Sequence, residues 1–297
     1  MRQVLGDRRA IAMLLAPALT VYSLVMLAPM LWSLGLTFFK GNPVFGFKPA
    51  GFDNFTKFFT DPRAGEAVWF TLKYALAVTV GQVILGYLLA LLYVFALRRA
   101  SALIRTLVFF PVVLPTVAVA LLFKNIFRIS PGYGLVNSAL DTAGLPVHDF
   151  LNQPGSAFWV LVAMDLWRSM GFYAVLLYAG LVDIPTEMLE SARMDGATGI
   201  RLVRHIVLPL SLPVLLASVI FSINGTLKVF DSVLGLTNGG PAFATTPLTV
   251  YMYQTSFQYS DYGYGSTLAL MLTALCLIVT IAIFRSQKRD LTTGGTK

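Results

Sequence analysis

Long apolar runs separated by short polar or basic groups recur along the chain, and six of them are long enough to cross a bilayer: approximately 11–39, 69–97, 105–127, 157–182, 208–230 and 265–284. A crossing helix needs about 20 apolar residues for roughly 30 Å of hydrocarbon, and tilt absorbs the excess length of the first two runs. The opening "MRQVLGDRRAIAMLLAPALTVYSL" has the basic flank of a signal peptide and an Ala-Pro-Ala at 16–18. Its apolar run continues past a signal-peptide core of about 7–15 residues, so an uncleaved first helix is expected. The connections 40–68 and 128–156 are rich in Gly, Pro, Asp and Asn, as exposed loops are, and 98–104 is short.

The connection 183–207 has a different pattern. Asp183-Ile184-Pro185 ends the fourth span, because proline disfavours helix in the residue before it. Thr186 followed by Glu187 and Glu190 predicts a helix over about 187–195 with acids in its first turn. Gly196 permits a turn that a Cβ would hinder, and Thr198 is placed to cap a second helix carrying Arg201, Arg204 and His205 toward Pro209. Ala192, Gly196 and Ala197 leave part of this surface close to bare backbone, open to the approach of another protein. An interfacial turn whose arginines meet anionic headgroups is the alternative.

Composition fixes the medium: 57% of the 297 residues are hydrophobic and 12% charged, with a mean hydropathy of +0.74, far more apolar than a soluble domain. The expected fold class is an all-α membrane protein, a single transmembrane domain over 1–297. The net charge of +8 comes without a basic stripe interleaved with aromatics, which argues against nucleic acid and leaves the cations as topology signals. With the N-terminus cytoplasmic, inner segments hold Arg2, Arg8, Arg9, Arg98, Arg99, Arg105, Arg193, Arg201, Arg204, Arg285, Lys288, Arg289 and Lys297, which is 13 of the 22 Lys and Arg, against seven outside. Both termini are therefore expected inside. The single cysteine, Cys276, falls in a span and reads as a small buried hydrophobe. His148 and His205 lie far apart, so no metal site is expected.

Polar groups at membrane depth usually face a cavity or a protein partner. In the fourth span Asp165 and Arg168 are three apart and able to pair, and Asp165, Ser169 and Phe172 share one helix face, offering an acceptor, a hydroxyl and a ring to a sugar-like solute. A pair that only fixes helix packing is the alternative. In the fifth span Ser222, Gly225, Thr226 and Val229 share a face, with Asn224, Lys228 and Asp231 nearby; small residues there also serve close helix packing. No G-x-x-x-x-G-K-[ST] phosphate loop occurs, so ATP cannot be cradled here in the usual way, and "TGGTK" at 293–297 has neither the spacing nor a following helix.

The spacing Glu190-Ser191-Ala192, Gly196, Ile206 and Leu208-Pro209 resembles the EAA loop of the inner-membrane permease subunits of binding-protein-dependent ABC importers, with Ser191 where alanine is usual. "LTNGGP", Leu236 to Pro241, resembles the outer-loop motif of the carbohydrate branch, the maltose-type and glycerol-3-phosphate-type permeases; "LVDIP" at 181–185 and "YGYGSTLALML" at 262–272 also fit. The resemblance covers roughly 65–290. It implies a type I importer transmembrane domain of six helices with a cytoplasmic EAA coupling loop over 183–209, in the bacterial inner membrane. It also implies a sister permease, two cytoplasmic ATPase subunits that bind ATP and Mg, and an extracytoplasmic solute-binding protein, with no cofactor on this chain. By the same resemblance Glu190, Ser191, Ala192, Arg193, Asp195, Gly196, Ile206, Leu208 and Pro209 form the ATPase-coupling set. Ungapped placement from the two motifs puts the maltose-type solute-contacting positions at Asp165, Ser169, Phe172, Ser222, Gly225, Thr226 and Val229; most residue types differ there, which argues against assuming maltose. An ion-gradient-driven secondary transporter and a membrane-embedded enzyme are the competing classes. The first usually needs more spans and internal repeats, and no histidine or cysteine in a span suggests the second.

Overall fold

The computed structural model describes residues 8–97 and 101–293. Arg2, Arg98, Arg99 and Lys297, and the side chains of Arg8, Arg9, Lys288 and Arg289, lie outside the described residues, as does "GGTK" at 294–297. In chain order the elements are α1 (Ile11–Leu36), the hairpin β1 (Phe39–Asn42) and β2 (Gly46–Pro49), α2 (Asp53–Thr60), α3 (Pro62–Ala96), α4 (Ser101–Val113), α5 (Thr116–Ile126), α6 (Leu135–Thr142), α7 (Pro154–Val182), α8 (Thr186–Met194), α9 (Gly199–Thr226), α10 (Asp231–Leu236), α11 (Leu248–Tyr253) and α12 (Tyr262–Arg285). Five of these, α1, α3, α7, α9 and α12, are long and apolar enough to span a membrane.

The predicted span 105–127 is not one straight helix. It is the pair α4 and α5, bent by 96° at Leu114–Pro115, and counting that pair as one crossing brings the total to six. Pro115 has no N–H and sits at φ −57°, ψ 131°, outside the helix it starts; its ring also pushes Leu114 out of helical geometry. The fifth span differs at its start. The short helix expected after Thr198 is the first part of α9 itself, which runs without a break from Gly199 through Pro209. A wider turn at Val203–Val207 precedes Leu208-Pro209, a way to seat a proline ring whose carbonyl partner four residues back would otherwise clash.

Two compact units divide the chain: one is made of the described residues up to Ala64 with Tyr251–Thr273, the other of Gly65–Val250 with the described residues from Ala274. In the first, the connection after α1 is more ordered than its composition predicts. Asn42 Oδ1 accepts from the amides of Val44 and Phe45 at 3.0 and 2.9 Å and closes the β-turn, and the buried Asn54 donates to the carbonyls of Thr37 and Phe39, both at 2.8 Å. Asp61 organises the end of this segment. Its Oδ1 accepts from the Arg63 amide at 3.0 Å, which starts α3 earlier than the expected residue 69. Its Oδ2 accepts from Tyr251 Oη at 2.5 Å and Tyr264 Oη at 2.7 Å. Lys57 bonds Asp261 at 3.0 Å and lies 3.9 Å from the Tyr264 ring centre.

In the second unit the core gathers Phe70, Tyr74, Val78, Leu161, Met164, Val233 and Leu236. Between lipid-facing helices the driving force is close packing, because lipid is as apolar as leucine. Gly171 provides it where α7 crosses α4: a Cβ there would stand 2.3 Å from the Val108 carbonyl oxygen and 2.7 Å from Phe109 Cα.

Burial tends to raise the Asp61 carboxyl, but the hydroxyls of Tyr251 and Tyr264, the Arg63 amide and the Lys57 charge outweigh it and hold it below the usual carboxylate value of 3.8. A lowered folded value favours the carboxylate, so its contribution is complete at neutral pH and falls away as the pH drops below about 3.8. Asp61→Asn is expected to cost about 1–3 kcal/mol at pH 7, read from thermal unfolding in detergent. The gap from wild type should narrow below pH 4; a gap that does not change with pH would contradict the role of the charge.

Candidate functional site

The polar residues of α3, α7, α9 and α10 converge on one cavity of about 360 Å³. Its wall includes all seven positions picked out in the sequence, Asp165, Ser169, Phe172, Ser222, Gly225, Thr226 and Val229, together with Gln82, Arg168, Tyr173, Phe221, Lys228, Asp231 and Ser232. Helical spacing explains the α7 set, since residues at i, i+4 and i+7 share a face. Val229 arrives by a different route: α9 ends at Thr226, and the turn after it carries a buried Val229 to the wall.

Asp165 is the most constrained group in the site. It is buried, 5% exposed, and its carboxylate accepts from Tyr74 Oη on α3, from Ser232 Oγ on α10 at 2.8 Å, and from Arg168 Nε at 3.4 Å. Asp165, expected as an acceptor for a solute, thus already accepts from three donors on three elements. A buried carboxylate is tolerated when donors and a cation surround it in this way. The pairing with Arg168 expected from the sequence is present, with Arg168 more exposed than its partner.

A second chain of hydrogen bonds crosses the other wall. Gln82 Nε2 donates to Ser169 Oγ at 2.7 Å, and Ser222 Oγ lies within donating distance of Gln82 Oε1 at 2.5 Å and Thr79 Oγ1 at 3.0 Å. Thr79 and Thr226 hydroxyls meet at 3.2 Å. Ser169 also donates to the Asp165 carbonyl. Above them Phe172 and Phe221 stack with ring centres 5.4 Å apart and an interplanar angle of 29°, an apolar wall beside the hydroxyls. Sequence reasoning did not single out Gln82, Tyr74, Thr79 or Ser232. A signal existed for Gln82, the lone amide in an apolar helix; for Ser232 there was none, since its contact with Asp165 bridges 67 residues.

At the other end of α7 lies the loop 183–209. Helix α8 begins at Thr186 after Pro185, and no side chain caps it; Thr198 likewise precedes α9 without a side-chain cap, contrary to expectation. The turn is closed by backbone alone. Gly196 at φ +83° donates to the Arg193 carbonyl at 3.0 Å, and the Ala197 amide donates to Ala192 at 2.9 Å, the two bonds of a Schellman motif. Ala192 and Ala197 also join the apolar cluster of Ala90, Leu177, Leu181, Ile184, Leu202 and Val207, with Ile206 at its edge, so the loop is seated on α3, α7 and α9. Glu190, Ser191, Arg193 and Asp195 point outward, and the side chains of Glu190, Arg193, Asp195 and Arg201 have no hydrogen-bond or ion-pair partner among the described residues. Leu208 and Pro209, the last residues of this loop, are exposed on α9. Sequence reasoning missed the apolar side chains beside these charges: Met194 is 89% and Ile200 78% exposed.

Asp165→Ala strips Arg168 of its carboxylate and leaves the Tyr74 and Ser232 hydroxyls without an acceptor. A loss of about 3–5 kcal/mol is expected, measured as a lower unfolding temperature in detergent, with Asp165→Asn intermediate. A melting curve unchanged in Asp165→Ala would show that the network carries no stability.

Residues 82–289 match the family of binding-protein-dependent transport system inner membrane components. Among characterised relatives, the sulfoquinovosyl glycerol transport system permease protein SmoG of Agrobacterium fabrum is 35% identical over 95% of this chain and 91% of its own. The sn-glycerol-3-phosphate transport system permease protein UgpA of Escherichia coli is 30% identical over 96% of each. In fold, the chain is similar to one from the crystal structure of a bacterial ABC transporter involved in the import of the acidic polysaccharide alginate, with a TM-score of 0.84 at 24% identity, covering 97% of this chain and 98% of that one. The chain thus belongs to the binding-protein-dependent transport system inner membrane components, as a non-catalytic permease subunit of an ABC importer.

Proposed function

We propose that this subunit forms, with a sister permease, the membrane pathway for a carbohydrate or related polyol, and that the cavity between α3, α7, α9 and α10 is its part of that pathway. The single observation carrying this reading is the meeting of Ser169, Phe172, Ser222, Gly225, Thr226 and Val229 on one wall beside Gln82 and the Phe172–Phe221 stack. Hydroxyls and an amide suit the hydroxyl groups of a sugar, and a stacked aromatic pair suits its C–H face. The relatives whose names give glycerol phosphates, glycosyl glycerols and sugars as their transport substrates point to the same class.

In this reading both termini and the loop 183–209 are cytoplasmic, and two ATPase subunits, which hold ATP and Mg, grip the loop at Glu190, Ser191, Ala192, Arg193, Asp195 and Gly196. Ile206, Leu208 and Pro209 lie on α9, which passes from the loop to the cavity wall at Ser222 and Thr226. Motion imposed on α8 is thus delivered to the solute site along one continuous helix and through the apolar cluster beneath Ala192. An extracytoplasmic binding protein delivers the solute, and the chain itself carries no cofactor.

Gly196→Asp tests the grip. A Cβ at Gly196 meets nothing within 4 Å, and aspartate tolerates the left-handed conformation better than most residues. The variant should therefore insert and fold while losing copurification with the ATPase and all transport; normal transport would refute the docking role. Phe172→Ala tests the pathway: with assembly intact, solute uptake should fall about fivefold, as loss of a stacking surface worth about 1 kcal/mol requires. Unaltered uptake would move the solute contacts to the sister permease.

A further inference from the structure

The charges around the cavity are not balanced in pairs. Asp165 divides its carboxylate among Tyr74, Ser232 and Arg168. Only the Nε of Arg168 takes part, at 3.4 Å, and the two terminal amino groups of its guanidinium have no hydrogen-bond partner among the described residues. Asp165 therefore positions the guanidinium rather than consuming it, and Tyr74 and Ser232 fix the carboxylate that does so. Lys228 lines the same cavity, exposed, and its ammonium has no hydrogen bond or ion pair among the described residues. Asp231, the one other carboxylate of the wall, bonds neither cation. The terminal amino groups of Arg168, the Lys228 ammonium and the Asp231 carboxylate are left open to whatever enters.

Arg168 keeps its two terminal amino groups free beyond its pair with Asp165, and ionisable groups that line a cavity in a membrane protein usually serve a solute or ion. A neutral sugar would accept hydrogen bonds from these cations but bring no opposite charge to them. A guanidinium offers parallel N–H donors that fit the oxygens of an oxyanion, and such pairs are about twice as strong as neutral hydrogen bonds. We propose that the solute is an anionic carbohydrate or polyol, bearing a carboxylate, sulfonate or phosphate ester, with Arg168 receiving the anion and Lys228 supplying the second positive charge. Asp231 then faces the hydroxyl end of the solute and disfavours entry in the reversed orientation. This inference rests on the reading of the cavity as a carbohydrate pathway.

The test uses cells with the whole importer, its binding protein, sister permease and ATPase included, with this chain deleted or restored. Uptake is followed for labelled pairs that differ in charge: glucose and glucuronate, galactose and galacturonate, glycerol and glycerol phosphate, a hexose and its 6-sulfonate. The same cells are also grown on an acid hydrolysate of mixed neutral and charged polysaccharides, whose depletion is read by mass spectrometry. Deletion should abolish uptake of one or more acidic compounds and spare their neutral partners. Arg168→Gln, assembled with the ATPase, should lower that uptake roughly tenfold or more, the worth of a charge-assisted hydrogen bond; Arg168→Lys should retain part of it, and Lys228→Gln should lower it as well. Loss of neutral sugars alone on deletion would overturn the anionic inference and leave the carbohydrate reading standing. Loss of no sugar or polyol would overturn the carbohydrate reading itself. If Arg168→Gln fails to assemble, Lys228→Gln decides, since its side chain is exposed on the cavity wall; wild-type uptake of the acidic solute by an assembled Lys228→Gln protein would overturn the assignment of the second charge.

Discussion

A carboxylate inside a membrane protein is tolerable only when donors surround it, and Asp165 draws those donors from three elements. Tyr74 comes from α3, Arg168 from its own helix, and Ser232 from the short helix α10 beyond the end of α9. In lipid, where apolar contacts alone give little preference for one helix partner over another, this one charge helps to fix which faces of α3, α7 and α10 meet. The cavity is the space those faces enclose. The chain Ser169–Gln82–Ser222–Thr79–Thr226 then ties α9 to α3 and α7 by the same rule: each hydroxyl or amide is paired with one from another helix, because no water is available to satisfy it within the hydrocarbon.

The site and the loop 183–209 are two ends of the same helices. Helix α7 carries Asp165 near its middle and ends at Val182, where the apolar cluster receives Ala192, while α9 starts in the loop and reaches the cavity with Ser222. The Schellman turn at Gly196 depends on backbone geometry and not on side-chain fit, so the outer surface of the loop is left free for unpaired charges beside exposed Met194 and Ile200. Proline sets the angles of the surrounding parts: Pro185 separates α7 from α8, Pro115 folds α4 against α5 by 96°, and Pro209 is absorbed within α9 by a widened turn.

Much of this was legible in the sequence because the signals are local. Membrane spans are set by runs of apolar residues, and α1, α3, α7, α9 and α12 stand close to where those runs lie. The helix–glycine–helix form of 186–209 follows from a proline, an acidic first turn and a glycine within a few residues of one another. Six of the seven cavity positions lie on the helices α7 and α9, where a shared face is a matter of spacing, and Val229 joins them from the turn beyond α9. What the runs leave out has local causes too. The run 105–127 does not show the bend at Pro115, because hydropathy averages over a proline that backbone sterics cannot ignore. The connection 40–68 was read as loop although Asn42, Asn54 and Asp61 each bond backbone groups that order it.

Sequence by itself determined the medium, the approximate crossings and the family, since these depend on composition, run length and short motifs at fixed spacing. Tertiary structure decided what each polar group does. Asp165 is spacing-equivalent to a solute acceptor, yet it is spent on Tyr74, Ser232 and Arg168, and Arg168 is thereby turned toward the cavity. Ser232 lies 67 residues from the carboxylate it bonds. No periodicity along one helix encodes which face of another will meet it, because that is fixed by the joint packing and hydrogen bonding of all the helices at once.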